Sequence, residues 1–212
     1  MWGIKQMIKG KVIRMIGLSF VVCHLSFSLC ACSEENTTED EFANWQERNE
    51  AQTAQWATNA SNGMYRKIVT YTKDESAPGL KNSDYIYVEV LEEGEGKESP
   101  IFTDIVRMAY RGHLIPTTSY SEGYVFDQSY LGNFDWQSAG MTDMTVDATV
   151  VGISTALMNM HEGDRWIVHV PYQLGYGTTA VTGIPAYSDL TFEVALKMFF
   201  HQGEDMGIPK SR

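Results

Sequence analysis

After residue 84 only one stretch of this chain has the three- and four-residue spacing of an apolar helix face: Val151 to Met160, with Ile153, Ala156, Leu157 and Met160 on one side. Around it the sequence alternates as strands do. Tyr85-Ile86-Tyr87-Val88-Glu89-Val90-Leu91 is β-branched and aromatic, and Glu92-Glu93-Gly94-Glu95-Gly96 breaks it. From Asp104 to Leu114, Ile105, Arg107, Ala109 and Arg111 alternate with Val106, Met108 and Tyr110, and further strands are predicted at Tyr124 to Asp127, Arg165 to Val170 and Leu190 to Phe200. Several antiparallel strands with a single apolar helix to cover them predict an α+β fold in which a curved sheet wraps that helix.

The segment before residue 84 reads differently. Lys5, Lys9, Lys11 and Arg14 precede an uncharged apolar stretch, Met15 to Ala31, the pattern of a signal peptide. A membrane-spanning anchor is the competing reading, but Gly17, Ser19, His24, Ser26 and Ser28 dilute a stretch already short of the ~20 apolar residues a spanning helix needs. Leu29-Cys30-Ala31-Cys32 resembles the bacterial lipobox and puts a lipid on Cys32; Cys30 competes, with the bulky Leu29 before it. Ser33-Glu34-Glu35 then resembles a surface-export signal of some Gram-negative lipoproteins, with a solvated tether as the alternative. The chain is thus read as an exported lipoprotein of the outer membrane, on its periplasmic or cell-surface face. From Thr37 to about Asn62, Phe42, Trp45, Asn49, Gln52 and Trp56 recur at helical steps, so a helix is predicted there. Its thin apolar stripe suits docking on the main domain, with binding of a partner as the other possibility. Lys73 to Ser83 reads as a loop. The predicted organisation is a signal peptide over 1–31, an acidic tether and helical segment over 32–83, the main domain over 84–201 and a tail over 202–212.

Composition excludes several chemistries. Cys23, Cys30 and Cys32 are the three cysteines, so the predicted domain has no disulfide, thiol nucleophile or thiolate metal site. Loss of residues 1–31 would remove four cations from a chain whose formal charge is already -11, which argues against nucleic acid or an anionic lipid surface as partner. His113, His161, His169 and His201 form no i, i+4 pair with an acidic partner, so no metal or other cofactor is predicted. Ser129, Ser154 and Ser188 lack a Gly-x-Ser-x-Gly context, and Gly94-Glu95-Gly96 lacks the spacing and the Lys of a phosphate loop.

What remains is a series of ordered motifs: Val106 to Gly112, Val125-Phe126-Asp127-Gln128-Ser129-Tyr130, Gly152 to Gly163, Leu174-Gly175-Tyr176-Gly177, and Ile184-Pro185 to Leu196. They bring aromatic and branched residues to one small apolar pocket with a single carboxylate and a few hydroxyls, a site suited to a prolyl peptide. Together they resemble the FKBP-type peptidyl-prolyl cis/trans isomerases from roughly Tyr85 to Phe200. The resemblance implies a sheet of five to six antiparallel strands curled around a short helix, here preceded by an N-terminal helix, with the pocket between sheet and helix. It further implies isomerase activity on X-Pro bonds of exported or unfolded proteins without a covalent intermediate, proline-containing polypeptides as partners, and binding of macrolide inhibitors such as rapamycin.

Carried over by residue, the resemblance makes Asp127, Tyr176 and Phe126 the catalytic group. Tyr110, Phe134, Val150, Ile153, Ile184 and Phe192 become the substrate-binding walls, with Trp136 near a further wall position. Ile153 falls where the family has a tryptophan, which keeps the floor apolar and removes a flat surface for the proline ring. A module that binds proline peptides, or a chaperone with little turnover, is therefore the alternative reading. An assembly role for the acidic helical N-terminus is a third. The loop His113 to Gly123 is longer than the family's turn and is read either as a rim of the site or as a solvated hairpin extension.

Overall fold

The computed structural model describes residues 40–204. The predicted signal peptide, the predicted lipidation position Cys32, the start of the predicted tether and most of the predicted tail lie outside these residues. In chain order the elements are α1 (Trp45–Ser61), β1 (Arg66–Val69), β2 (Tyr85–Glu92), β3 (Ile105–Leu114), β4 (Val125–Gln128), β5 (Thr142–Thr145), α2 (Val151–Leu157), β6 (Arg165–Val170) and β7 (Leu190–Phe200). All strand pairs are antiparallel, in the order β1-β2-β6-β7-β3-β4, with β5 pairing to the remaining stretch of β3. The sheet has seven strands. Its two extra members are β1 and β5, both short and polar, and β1 carries the sheet back beyond the boundary predicted at residue 84.

Alternation sorts the long strands into two faces. Ile86 and Val88 of β2, Trp166, Val168 and Val170 of β6, and Leu190, Val194 and Leu196 of β7 share one core with Ile153, Ala156, Leu157 and Met160 of the α2 region. The helix lies close to its sheet. At Gly152 a Cβ would stand 2.3 Å from a methyl of Val170, so only glycine allows this approach. The helix ends at Leu157 rather than Met160, and the following turn closes with hydrogen bonds from Asn159 N to Ala156 O and from Met160 N to Leu157 O.

The first helix begins at Trp45, later than predicted, because Asn44 adopts a left-handed conformation (φ 52°) and breaks helical geometry at that point. Phe42 therefore lies before the helix, edge-on to Trp45 at 5.0 Å. Docking on the main domain relies on polar groups as much as on apolar ones. Trp45 Nε1 donates to Ser188 Oγ (2.8 Å), Thr53 Oγ1 to Asp189 Oδ2 (2.7 Å), and Asp189 N to Asn49 Oδ1 (2.7 Å). Trp56 stacks on His169 at 4.8 Å and lies against Tyr87, covering the sheet face opposite α2. Among the described residues no helix is long and apolar enough to cross a membrane.

Candidate active site

A cavity of about 320 Å3 opens between the concave face of the sheet and the start of α2. Each wall comes from a different element. β3 contributes Met108 and Tyr110, β4 Asp127, β5 Met144, the approach to α2 Ala148, Thr149 and Val150, α2 Ile153, and β7 Phe192 and Val194. Tyr176 closes the rim from the turn after a short helical segment, Tyr172–Leu174. The size falls in the range of small-ligand sites, and the lining is mostly apolar with convergent polar groups.

Those polar groups are ordered. Tyr110 Oη donates to Asp127 Oδ2 at 2.8 Å, so the carboxylate fixes the ring that forms one wall. Burial, then the hydrogen bond and charge of Asp127, push the Tyr110 hydroxyl up to about 12. Burial and the Asp127 charge also raise Tyr176, so both phenols stay protonated at neutral pH and remain donors. Tyr176 is 41% exposed, and its hydroxyl has no hydrogen-bond partner among the described residues. Val150 is the residue before the first turn of α2, with extended geometry (φ -63°, ψ 150°), so first-turn amides of the helix, which have no partner within it, lie beside the cavity.

Of the residues singled out in the sequence, Tyr110, Asp127, Val150, Ile153, Tyr176 and Phe192 line this one cavity. Phe126 borders it. Its ring meets Phe192 edge-on at 5.5 Å, and both rings crowd Gly112, where a Cβ would fall within 2.6 and 2.7 Å of them. Ile184 is buried in the core and lines a neighbouring groove instead.

Phe134 requires a correction. It packs with Tyr130, Trp136, Ala109 and Ala195 on the opposite face of the sheet, under the Arg165 guanidinium, and Trp136 goes with it. The reason is parity: Ala109 points away from the cavity that Met108 and Tyr110 face, and the turn at Gly132 (φ 72°) carries the following residues to that outer side. Met108, Met144 and Val194 were missed as wall residues. Met108 and Val194 stand two positions from Tyr110 and Phe192, so strand parity points to them, whereas Met144 lies on a strand too short and polar to signal itself.

The model for FKBP-type peptidyl-prolyl cis-trans isomerases matches residues 96–197. These residues belong to the FKBP-type family. Curated relatives include the macrophage infectivity potentiator of Trypanosoma cruzi, 36% identical over 49% of this chain and 47% of its own length. The peptidyl-prolyl cis-trans isomerase Mip of Coxiella burnetii is 31% identical over 59% of this chain and 50% of its own. FkpA of Escherichia coli K12 is 32% identical, covering 56% and 39%. The chain thus spans about half or less of the length of each of these relatives. Among solved structures, a peptidyl-prolyl cis-trans isomerase of Pseudomonas syringae shares the fold with a TM-score of 0.52, at 22% identity, over 73% of this chain and 95% of that one. The FKBP-type domain therefore carries the cavity between sheet and helix, while α1, β1 and β2 lie before the matched residues.

Proposed function

We propose that this protein is a peptidyl-prolyl cis/trans isomerase acting on X-Pro bonds of unfolded or newly exported polypeptides. The observation that carries the reading is the Tyr110–Asp127 pair facing the Tyr176 hydroxyl across a small apolar cavity in an FKBP-type domain. Rotation about an X-Pro bond is opposed by amide resonance, a barrier of ~18 to 20 kcal/mol, and no bond has to form or break. The twisted amide has lost conjugation and is less polar than the planar one. An apolar cavity binds it better than the planar ground state, and that difference lowers the barrier. In this scheme Ile153 forms the floor, Phe192, Phe126 and Val150 hold the ring and its neighbours, and Tyr176 donates to a flanking carbonyl. Asp127 acts as the acceptor that holds Tyr110 in place.

The same proposal places the protein at the outer membrane through a lipid on Cys32, with macrolide inhibitors as competitors for the pocket. Ile153 favours a second reading, a binder of proline peptides with little turnover, because it offers less flat surface than the tryptophan at that position in the family.

A protease-coupled assay on a short X-Pro peptide, with the full chain in detergent micelles, tests the proposal. Acceleration above background is expected, and Asp127→Ala and Tyr176→Phe each lower kcat/KM by the equivalent of ~1 to 2 kcal/mol, the loss of one hydrogen-bonding group. No acceleration by the wild-type chain, with a large gain on Ile153→Trp, decides for the binder.

A further inference from the structure

A second groove of about 630 Å3 lies beside the cavity, and it joins Glu41 and Phe42, which precede the FKBP-type residues, and the long loop to the Val181–Pro185 stretch of the domain itself. Glu41 and Phe42 of the segment before α1 form one side, Ser119 and Tyr120 of the long loop another, and Tyr124 with Val181, Ile184 and Pro185 the floor. Four large apolar side chains stay exposed in it: Phe42 (38%), Tyr120 (46%), Tyr124 (37%) and Val181 (38%). Convergence of such residues in one concavity marks a binding surface rather than scattered exposure.

The groove is held open by specific bonds. Ser119 donates to Glu41 through both its backbone N and its Oγ, each at 2.8 Å. Arg48 reaches from α1 to the carbonyl oxygens of Glu41 (2.9 Å) and Pro116 (3.0 Å). Tyr120 packs edge-on against Tyr124 at 5.2 Å, and the floor turn is closed by reciprocal hydrogen bonds between Val181 and Ile184. The loop between β3 and β4 is therefore a constructed wall. Among the described residues Glu41 is the only charged one lining the groove, and its two carboxylate oxygens are both occupied by the loop, which leaves the groove suited to an uncharged side chain.

We infer that this groove is a second subsite for the same polypeptide that places its proline in the cavity, taking an apolar or aromatic side chain a few residues away. The inference rests on the prolyl-peptide reading above. Two covalent runs connect the sites. Tyr124 is three residues from Asp127, which bounds their Cα atoms to ~11 Å, and Ala180 is four residues from Tyr176, a bound of ~14 Å. An extended peptide covers such a gap in three to five residues. That proximity selects the same substrate as occupant over a separate partner.

The test is fluorescence polarisation with labelled X-Pro peptides and the full chain in detergent micelles. Two series carry either Phe or Ser four residues from the proline, one on its N-terminal side and one on its C-terminal side. In one series the Phe peptide is expected to bind about tenfold tighter, a difference of ~1.4 kcal/mol, modest for burying an aromatic side chain. Tyr124→Ser and Val181→Ser, on separate stretches of chain, each abolish that preference and leave the Ser peptide's affinity unchanged. Equal affinities for Phe and Ser in both series overturn the subsite while leaving the cavity reading intact; failure of every X-Pro peptide to bind overturns both. A preference that emerges only after deletion of residues 33–39 shows that the chain's own N-terminal segment fills the groove, and also overturns the inference.

Discussion

Asp189 is a carboxyl group with no exposed surface, set at the junction of α1 and the FKBP-type domain. It accepts from Thr53 Oγ1 and from Tyr172 N, at 2.7 and 2.8 Å, but burial outweighs these two donors, and Glu50 nearby adds repulsion. The result is a pKa raised to about 7, from an ordinary carboxyl value of 3.8. At ~1.4 kcal/mol for each pH unit between the ordinary value and the raised one, the displacement corresponds to about 4 kcal/mol. Because the folded value is raised, the stabilising contribution is complete below about pH 4, shrinks as pH climbs toward 7, and is gone above it. Asp189→Asn keeps an oxygen to accept from Tyr172 and leaves Thr53 free to turn its hydroxyl. Urea unfolding followed by tryptophan fluorescence between pH 4 and 8.5 is the assay. The variant is expected to match wild type near pH 4 and to exceed its stability by up to about 4 kcal/mol at pH 8. Asp84, held low first by Lys73, and His169, lowered by burial, change wild type and variant alike and cancel in the difference. Parallel stability curves for the two proteins refute the reasoning.

Three shorter predictions concern the cavity and its support. Gly112→Ala forces the Phe126 and Phe192 rings apart and is expected to destabilise by ~1 to 3 kcal/mol by overpacking, with weaker binding of prolyl peptides in the polarisation assay. Gly152→Ala gains up to ~1 kcal/mol of helix propensity but drives a methyl into Val170, so urea unfolding is expected to show a net loss of ~1 to 2 kcal/mol. Tyr110→Phe removes the donor to Asp127 and is expected to lower kcat/KM by roughly tenfold while the melting temperature changes little, since Asp127 itself is exposed.

Much of this architecture is visible in the sequence because the long strands must alternate to bury one face. β2, β3, β6 and β7 carry Ile86, Val106, Val168 and Leu190 on that face, and each announces itself by period two. β1 and β5 escape notice for the opposite reason. Arg66-Lys67-Ile68-Val69 and Thr142-Asp143-Met144-Thr145 sit at margins of the sheet, where few side chains need burial. The docking of α1 was legible only from Trp45 and Trp56. Asn49 and Thr53 look solvated in the sequence, and their burial becomes intelligible only once Asp189, 136 residues beyond Thr53, supplies the partner. In the cavity, Tyr110, Asp127, Tyr176 and Phe192 follow from motif order. Phe134 was misplaced because the chain reverses at Leu131-Gly132-Asn133, where spacing along the sequence no longer tells which face a side chain joins.

The central claim is that this cavity takes a proline ring and lets its amide bond turn. Two-dimensional exchange NMR on an X-Pro peptide, with a catalytic amount of the full chain in micelles, observes that turning without a coupling protease. Cross-peaks linking the cis and trans signals within the mixing time are predicted, weaker with Asp127→Ala and lost when an excess of a tight pocket ligand is added. Sharp, unlinked cis and trans signals, interconverting only at the uncatalysed rate of tens to hundreds of seconds, would contradict it.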